Sequence, residues 1–348
     1  MNFLVKKGNG LAGEISIPGD KSISHRSIIL ASLAEGSSRI YDLLEGEDCL
    51  ATIEVFKKMG VGISLKDGIC LVDGKGIEGL KEPDQVLDFG NSGTSVRLCA
   101  GLLSAQRFSS VLIGDESLST RPMQRIVDPL TSMGANISGI GSNRLLINGV
   151  KKLNQVSHSV VSDRIEAGSF AIASSITMGN VEINNINPKN LTEFTNVLKL
   201  TGSKVEIFEN SMKVSCSQRP KTHNVETDPY PGFPTDLQAQ YMALMAIANG
   251  KTLIRETIFE NRFMHVPELM RMGAKIFVNQ QEAEIHGVKK LKGAKVMASD
   301  LRASMCLILA ALAASGTSEI DGLYHLDRGY ENLEDKLTNL GAIIKRSN

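Results

Sequence analysis

The sequence predicts an α/β protein of two domains that are built from a repeated unit. Its 348 residues exceed the usual length of one domain and predict about two. Five helix-like segments end in the same signal, a glycine followed by a β-rich segment, and these glycines lie 68 to 74 residues apart. A period of this length indicates an internal repeat. The five glycines are Gly60, Gly134, Gly202, Gly273 and Gly341.

Each repeat is predicted to contain a strand, a buried helix, a strand, an amphipathic helix and a strand pair, a βαβαββ unit. The amphipathic helix, as in "TIEVFKKMG", closes at a glycine that can adopt the left-handed conformation beyond a helix C-terminus. An earlier Ala-rich helix is apolar on nearly all sides, which predicts a buried element. Turn signals such as Asp67-Gly68 predict the strand pair. The Ala-rich helices are expected to end at Gly36, Gly179, Gly250 and Gly316.

The composition disfavours several classes of function. With 38 basic and 38 acidic side chains the formal net charge is zero, so neither a nucleic acid nor a membrane surface is expected as a partner. No apolar segment approaches the length of a membrane span and no signal-peptide pattern opens the chain, which predicts a cytoplasmic protein. The five cysteines are scattered and the six histidines lack metal-ligand spacing, so no metal and no cofactor is expected.

Polar and charged residues mark the start of each predicted buried helix. The segments are "GDKSISHR", "FGNSGTSVR", "SDRIEAGS", "YPGFPTDLQAQ" and "ASDLRAS". A helix N-terminus exposes unpaired N–H groups and the positive end of the helix dipole, so it can bind an anion, although simple capping also explains the Ser and Asp residues. A cap does not need a cation, however, and convergent Lys and Arg side chains would suit phosphate and carboxylate groups. The cations in or after these segments are Lys21, Arg26, Arg97, Arg121, Arg164, Arg262, Arg302 and Arg328.

These segments resemble those of the enolpyruvyl transferases, which move the carboxyvinyl group of phosphoenolpyruvate onto a hydroxyl. Residues 1–150 resemble the 3-phosphoshikimate 1-carboxyvinyltransferases (EPSP synthases) in "PGDKSISHRSIILASLAEG", "GNSGTSVRL" and "GDESLSTRPM". Residues 151–348 resemble the UDP-N-acetylglucosamine 1-carboxyvinyltransferases in "DRIEAGSF", "PGFPTDLQAQ", "ETIFENRFMHVPELMRMGA", "MASDLRAS" and "YHLDRGYENLEDKL". The resemblance covers essentially the whole chain.

The resemblance implies an RNA 3′-cyclase-like fold, a two-domain inside-out α/β barrel with three repeats in each domain. Five repeats are present instead of six, and the missing third one would lie between "RLLINGV" and "HSVVSDRIEAG". We therefore expect a first domain of two repeats at residues 16–152 and a second of three repeats at residues 1–15 plus 153–348. A join between two enzymes explains this arrangement, and a natural intermediate is the alternative. The incomplete first domain would expose apolar helix faces and is expected to self-associate.

The resemblance also implies roles for individual residues. Asp236 would act as general base or position the acceptor hydroxyl, with helix capping as the alternative, and Glu260 would help move protons at the methylene carbon. Lys21 is expected both to bind substrate and to take part in catalysis. The residues expected to bind the phosphate and carboxylate of phosphoenolpyruvate are Lys21, Arg97 and Arg121 in the first domain and Arg262, Arg302 and Arg328 in the second.

The two halves imply different acceptors. Ser22 and Arg26 match contacts to the phosphate of 3-phosphoshikimate, whereas Asp236, Ile258 and Phe259 match contacts to UDP-N-acetylglucosamine. Because the second resemblance spans the longer part of the chain, transfer to UDP-N-acetylglucosamine, a step of peptidoglycan precursor synthesis, is the leading expectation. Transfer to 3-phosphoshikimate, in the shikimate pathway to aromatic amino acids, is the first alternative. A non-catalytic remnant that at most binds anions is the second.

Overall fold

The computed structural model describes residues 2–115 and 157–347, with a few further positions between 118 and 137. The chain divides into two compact units. Unit 1 comprises Met1–Pro18 and Ser162–Asn348, and unit 2 comprises Gly19–Val161. The chain thus leaves unit 1 after Pro18 and returns to it at Ser162. Arg121, expected to bind phosphoenolpyruvate, and Gly134, expected to end a helix, lie outside the described residues.

Helices and strands alternate along the described parts of the chain. None of the helices described there is long and apolar enough to cross a membrane. The helices are α1 (Lys21–Leu33), α2 (Glu47–Lys58), α3 (Gly93–Ser104), α4 (Arg164–Ile176), α5 (Thr192–Leu200), α6 (Gln238–Ala246), α7 (Val266–Arg271), α8 (Leu301–Ala313), α9 (Tyr324–Asp327) and α10 (Leu333–Asn339), with 3₁₀ turns at Pro188–Leu191 and Thr235–Leu237. The strands are β1 (Asn2–Lys6), β2 (Ala12–Ser16), β3 (Glu35–Tyr41), β4 (Gly62–Lys66), β5 (Ile69–Lys75), β6 (Leu87–Asp88), β7 (Leu112–Ile113), β8 (Ser157–Ser159), β9 (Asn180–Asn184), β10 (Lys204–Ile207), β11 (Ser211–Ser215), β12 (Val225–Glu226), β13 (Lys251–Arg255), β14 (Lys275–Asn279), β15 (Glu282–His286), β16 (Lys295–Met297), β17 (Thr317–Asp321) and β18 (Ile343–Ser347).

Unit 1 contains three four-stranded sheets of one design. Their strand orders are β2-β9-β11-β10, β12-β13-β15-β14 and β16-β17-β1-β18. In each sheet the first pair is parallel and the next two pairs are antiparallel. A parallel pair needs a crossover, and α6 and α8 supply it for β12/β13 and β16/β17. The N-terminal strands β1 and β2 complete two of the sheets, which explains why residues 1–18 belong to this unit.

The buried helices α4, α6 and α8 pack against one another in unit 1. Every residue of α6 is buried, as are residues 303–312 of α8, which confirms the expectation from their apolar sequences. Small side chains permit the close approach: a Cβ atom on Gly168 of α4 would lie 2.4 Å from a methyl carbon of Leu237. These helices share one core with the inner faces of the sheets, so the helices lie inside and the strands outside.

Unit 2 contains the sheet β8-β3-β5-β4, the two-stranded parallel sheet β6–β7 and helices α1 to α3. Its own core includes Ile28, Phe56 and Phe89. The exposure expected for the apolar faces of α1 and α3 is therefore limited, because Ile28 and Leu103 are buried. Leu30 and Leu98 are 59% and 38% exposed.

The glycines mark two kinds of boundary. Four of the glycines predicted to follow amphipathic helices have the expected positive φ, between 88° and 97°: Gly60, Gly202, Gly273 and Gly341. The predicted ends of the buried helices were wrong in detail, because each helix ends before its glycine. The helices end at Leu33, Ile176, Ala246 and Ala313, and the glycines that follow are Gly36, Gly179, Gly250 and Gly316. These later glycines lie where the chain enters the next strand. At Gly179 a Cβ atom would be only 2.1 Å from the carbonyl oxygen of Leu11, so the close approach of two backbones requires glycine.

Candidate active site

The predicted helix starts carry separate caps and cations. Asp20 accepts a hydrogen bond from the backbone N–H of Ile23 at 2.9 Å and thereby caps α1. Asp300 caps α8 in the same way, accepting from the N–H of Arg302 at 2.8 Å. Because Asp, not Lys or Arg, satisfies the free N–H groups, the cations that follow are not needed for capping. Lys21 and Arg302 are thus the first and second residues of their helices.

In unit 2 the start of α1 carries three of the residues expected to bind substrate. The ammonium of Lys21 lies 2.5 Å from the carboxylate of Asp48, which is 4% exposed. Ser22 is half-buried, and the exposed Arg26 donates to its backbone carbonyl at 2.8 Å. Arg97, on α3, is half-buried and donates to the carbonyl of Gly93 at 3.1 Å. The sequence did not predict Asp48 as a site residue, since it lies on α2 and strand β3 separates that helix from α1 along the chain.

A buried polar cluster lies behind these cations. His25 Nδ1 lies 2.8 Å from Thr52 Oγ1, and its Nε2 lies 3.3 Å from the hydroxyl of Ser92, the cap of α3. Thr52 also donates to the hydroxyl of Ser95 at 2.8 Å. Burial, reinforced by the nearby charge of Lys21, lowers the pKa of His25 to about 4. A neutral imidazole therefore links α1, α2 and α3 at the end where Lys21 lies.

In unit 1 Asp236 pairs with two arginines from distant parts of the chain. Its Oδ1 atom accepts a hydrogen bond from Arg262 Nη1 at 3.1 Å and a short one from Arg302 Nε. Burial alone would favour the neutral acid, but Arg302 and then Arg262 outweigh it and hold the pKa of Asp236 below its ordinary value. Asp236 lies inside the 3₁₀ turn Thr235–Leu237, and the N-cap position of this turn is Pro234. The structure therefore does not support the capping alternative for Asp236.

Arg262 is positioned by an aromatic ring as well as by Asp236. Its guanidinium lies 3.9 Å from the centre of the Phe259 ring, a cation–π contact. Burial and the neighbouring Arg302 lower the pKa of Arg262, while Asp236 and Glu256 act in the opposite direction. Phe259 is 47% exposed, whereas the side chain of Arg262 is 13% exposed. Ile258, the preceding residue, is half-buried.

Glu256 is a site residue that the sequence reasoning missed. It is 1% exposed, and its carboxylate accepts hydrogen bonds from the hydroxyl of Thr235 and from the N–H groups of Ile258 and Phe259. The sequence held one signal, an acid at the end of a predicted strand in "ETIFENRFMH". Nothing in that pattern reveals that the acid turns inward toward Thr235.

The structure places Glu260 apart from this group, whereas Arg328 lies on a helix next to that of Arg302. Glu260 is exposed, and no ion pair within the described residues joins it to Arg262 or Arg302. Arg328 is half-buried at the C-terminal end of α9, a helix that packs against α8, whose second residue is Arg302. Direct contacts of Asp236 with Arg262 and Arg302 thus bring three of the expected residues together in unit 1.

The arrangement is suited to bind an anion. Each guanidinium offers five N–H donors, and Asp236 occupies only part of them. The remaining donors of the two neighbouring guanidinium groups can bind a phosphate or carboxylate group, which arginine recognises in bidentate fashion. No group of three or more His, Cys, Asp or Glu side chains that could hold a metal occurs among the described residues.

Comparison with known proteins identifies the family. The family model described as EPSP synthase (3-phosphoshikimate 1-carboxyvinyltransferase) matches residues 5–143 and 132–337. The chain belongs to the enolpyruvyl transferase family. It is accordingly a transferase of the EC 2.5.1 type, as the sequence predicted.

Curated relatives carry the name of one acceptor. The chain is 36% identical to the UDP-N-acetylglucosamine 1-carboxyvinyltransferase of Geotalea uraniireducens (strain Rf4) over 413 residues, covering 99% of each chain. That alignment is longer than the 348 residues of this chain and therefore passes through gaps in it. Identity rises to 52% over 221 residues of the enzyme of the same name from Desulfosudis oleivorans, covering 64% of this chain and 53% of that relative.

Solved structures share the fold over the whole chain. The EPSP synthase from Acinetobacter baumannii matches with a TM-score of 0.78 at 25% identity, covering 100% of both chains. The enolpyruvyl transferase NikO from Streptomyces tendae matches with a TM-score of 0.75 at 19% identity, covering 99% of this chain and 98% of that one, a likeness of fold alone. These likenesses confirm the α/β fold class that the repeats predicted.

Proposed function

We propose that this chain transfers the carboxyvinyl group of phosphoenolpyruvate to a hydroxyl of UDP-N-acetylglucosamine in the cytoplasm, with release of phosphate. The contact of Asp236 with Arg262 and Arg302 carries the proposal, because it sets a carboxylate held in its ionised form beside two anion-binding side chains. The relatives named for this acceptor, at 36% and 52% identity, support the choice of sugar nucleotide. The product would be a precursor of peptidoglycan.

The proposed chemistry needs a base and several cations. Asp236 would accept the proton of the acceptor hydroxyl as its oxygen attacks the carbon of phosphoenolpyruvate that bears the phosphate ester, while a proton moved with the help of Glu260 adds to the methylene carbon. Loss of a proton from the resulting methyl group then expels phosphate and restores the double bond, a step in which Glu260 would help. Ile258 and Phe259 would border the acceptor. The cations proposed to hold phosphate and carboxylate are Lys21, Arg97 and Arg121 of unit 2 and Arg262, Arg302 and Arg328 of unit 1.

A second candidate acceptor is 3-phosphoshikimate. Lys21, Ser22 and Arg26 lie together at the start of α1, where helix N–H groups, a hydroxyl and two cations would suit a sugar phosphate. The likeness to an EPSP synthase over the entire chain favours the same candidate. Both proposals share one donor, so they differ only in the second substrate.

Release of phosphate decides between the acceptors. Purified protein is incubated with phosphoenolpyruvate and either UDP-N-acetylglucosamine or 3-phosphoshikimate, and inorganic phosphate is measured over time. We expect release with UDP-N-acetylglucosamine that Asp236→Asn abolishes and that Glu206→Gln, a change in an exposed pair with Lys204, leaves intact. Release with 3-phosphoshikimate alone would select the second candidate. Release with neither, from protein with a cooperative thermal transition, would identify a non-catalytic remnant.

Self-association through unit 2 stays a prediction. The exposed Leu30 and Leu98 are the apolar side chains of α1 and α3 that would take part. Sedimentation velocity over a hundredfold range of protein concentration tests it. Replacement of both leucines by Gln should shift a concentration-dependent oligomer toward the monomer, and a monomer at all concentrations would refute it.

A further inference from the structure

The buried carboxylate of Glu256 lies immediately after β13 and is held by neutral donors. Thr235 Oγ1 is 2.9 Å from one of its oxygens and 2.8 Å from the other. The N–H groups of Ile258 and Phe259 donate to it at 3.0 and 3.2 Å. Burial of a carboxylate to 1% exposure is unfavourable unless such donors surround it, so these hydrogen bonds hold the Glu256 side chain in this position.

These bonds join two segments that a second interaction also joins. Thr235 belongs to the 3₁₀ turn Thr235–Leu237, and Ile258 and Phe259 begin the loop that leads to Arg262. The ion pair between Asp236 and Arg262 spans the same turn and the same loop at 3.1 Å. Adjacent residues, Thr235 and Asp236, therefore hold the loop through two separate carboxylates.

The two links differ in how a substrate affects them. An anion that binds Arg262 and Arg302 competes with Asp236 for their N–H donors, so the ion-pair link weakens when substrate binds. The carboxylate of Glu256 uses a hydroxyl and backbone N–H groups, for which an incoming anion does not compete. The Glu256 link is therefore the one of the two that an anion on the arginines leaves in place.

We infer that Glu256, acting through Thr235, is a positioning residue that holds the Arg262 loop against the Asp236 turn while the arginines exchange Asp236 for the substrate anion. This inference rests on the proposed function for the identity of that anion, phosphoenolpyruvate. It predicts that loss of the Thr235 hydroxyl weakens anion binding more than it loosens the loop of the free protein. In the free protein the ion pair between Asp236 and Arg262 still joins the two segments.

The test compares Thr235→Val, which removes the hydroxyl at constant volume, with Thr235→Ser, which keeps it. Binding of phosphoenolpyruvate alone is measured by titration calorimetry, so neither turnover nor acceptor is needed. We expect Thr235→Val to weaken binding by about tenfold to a hundredfold, the usual effect of one hydrogen bond to a charged group, and Thr235→Ser to bind nearly as wild type. Thr252→Val is the matched control, because Thr252 lies on β13 and its buried hydroxyl donates to the sulfur of Met245, away from the Arg262 loop.

A second measurement separates positioning from simple stability. Hydrogen exchange of the segment 257–264 should be alike in wild type and Thr235→Val without ligand, and should differ once both are saturated with phosphoenolpyruvate. Equal affinity of wild type and Thr235→Val for phosphoenolpyruvate would overturn the inference and leave the proposed function standing. The same holds if Thr235→Val loses as much exchange protection in segment 257–264 without ligand as with it. If binding follows the expected pattern but no acceptor supports turnover, the proposed function fails and the inference stands. Absence of any binding by wild type would overturn the inference, and phosphate release with an acceptor would still decide the proposed function.

Discussion

Acid should lower the stability of unit 2, because folding buries His25 as a neutral imidazole. His25 lies on α1 with 0% of its surface exposed, between Thr52 of α2 and the cap of α3, Ser92. Burial and the charges of Lys21 and Arg26 disfavour a second proton on the ring, and the carboxylate of Asp48 opposes them only in part. The resulting pKa of about 4 is well below the value of 6.5 for an unperturbed histidine.

The sign and size of the effect follow from these two pKa values. Between pH 6.5 and pH 4 the unfolded chain binds a proton that the folded unit does not, so acid favours unfolding. The stabilising contribution is complete above pH 6.5 and is lost as the pH falls through about 4. Each pH unit of difference is worth about 1.4 kcal/mol, so the full effect is about 3 kcal/mol and the part between pH 7 and pH 5 is about 2 kcal/mol.

Hydrogen exchange followed by mass spectrometry can measure this effect in unit 2 alone, which matters because a chain of two units does not unfold in one step. The opening free energy of peptides from α1 and α3 is compared at pH 7 and pH 5, after correction for the intrinsic exchange rate. We expect wild type to lose about 2 kcal/mol more than His25→Asn, whose side chain stays neutral and can still bond to Thr52. Equal losses in the two proteins would refute the assignment of the acid sensitivity to His25.

Three further outcomes are expected. Asp236→Asn should lower the rate of phosphate release by about a hundredfold or more at every pH from 5.5 to 8.5. The reason is that the low pKa of Asp236 keeps the wild-type carboxylate ionised over this range, so a loss of rate confined to high pH would contradict the prediction. Lys336→Met should lower the opening free energy of unit 1 peptides in hydrogen exchange by about 3 kcal/mol, since it leaves Glu166, 1% exposed and 2.7 Å from the ammonium, without its cation; a change below about 1 kcal/mol would contradict it. Gly273→Ala should lower the unfolding free energy by about 1 kcal/mol, because Gly273 has a φ of 92° that disfavours any other residue. Gly101→Ala should raise it by about 0.5–1 kcal/mol, because Gly101 lies inside α3 with open space around it. Calorimetric melting of each variant against wild type checks both signs.

The sequence by itself determined the elements and their order. The glycine after each amphipathic helix, the apolar helices and the polar helix starts follow rules that act within one or two turns of chain, so "TIEVFKKMG" and "LILAALAASG" predict their structures without knowledge of the fold. The motifs also indicated the family and named Asp236, Arg262 and Arg302 as residues of one site. That assignment came from the resemblance, because residue type and spacing alone indicated only that cations lie near helix starts and would suit anionic groups.

Only the tertiary structure decided which of these residues meet. Asp236, Arg262 and Arg302 come from separate segments, and the pairing of Lys21 with Asp48 joins α1 to α2, contacts that no local pattern encodes. The inward turn of Glu256 toward Thr235 and the exposure of Glu260, four residues later, depend on how the loop leaves β13. The N-terminal strands β1 and β2 likewise found their partners far along the chain. Such contacts are fixed by the packing of whole sheets and helices, which brings together residues that local sequence rules treat as independent.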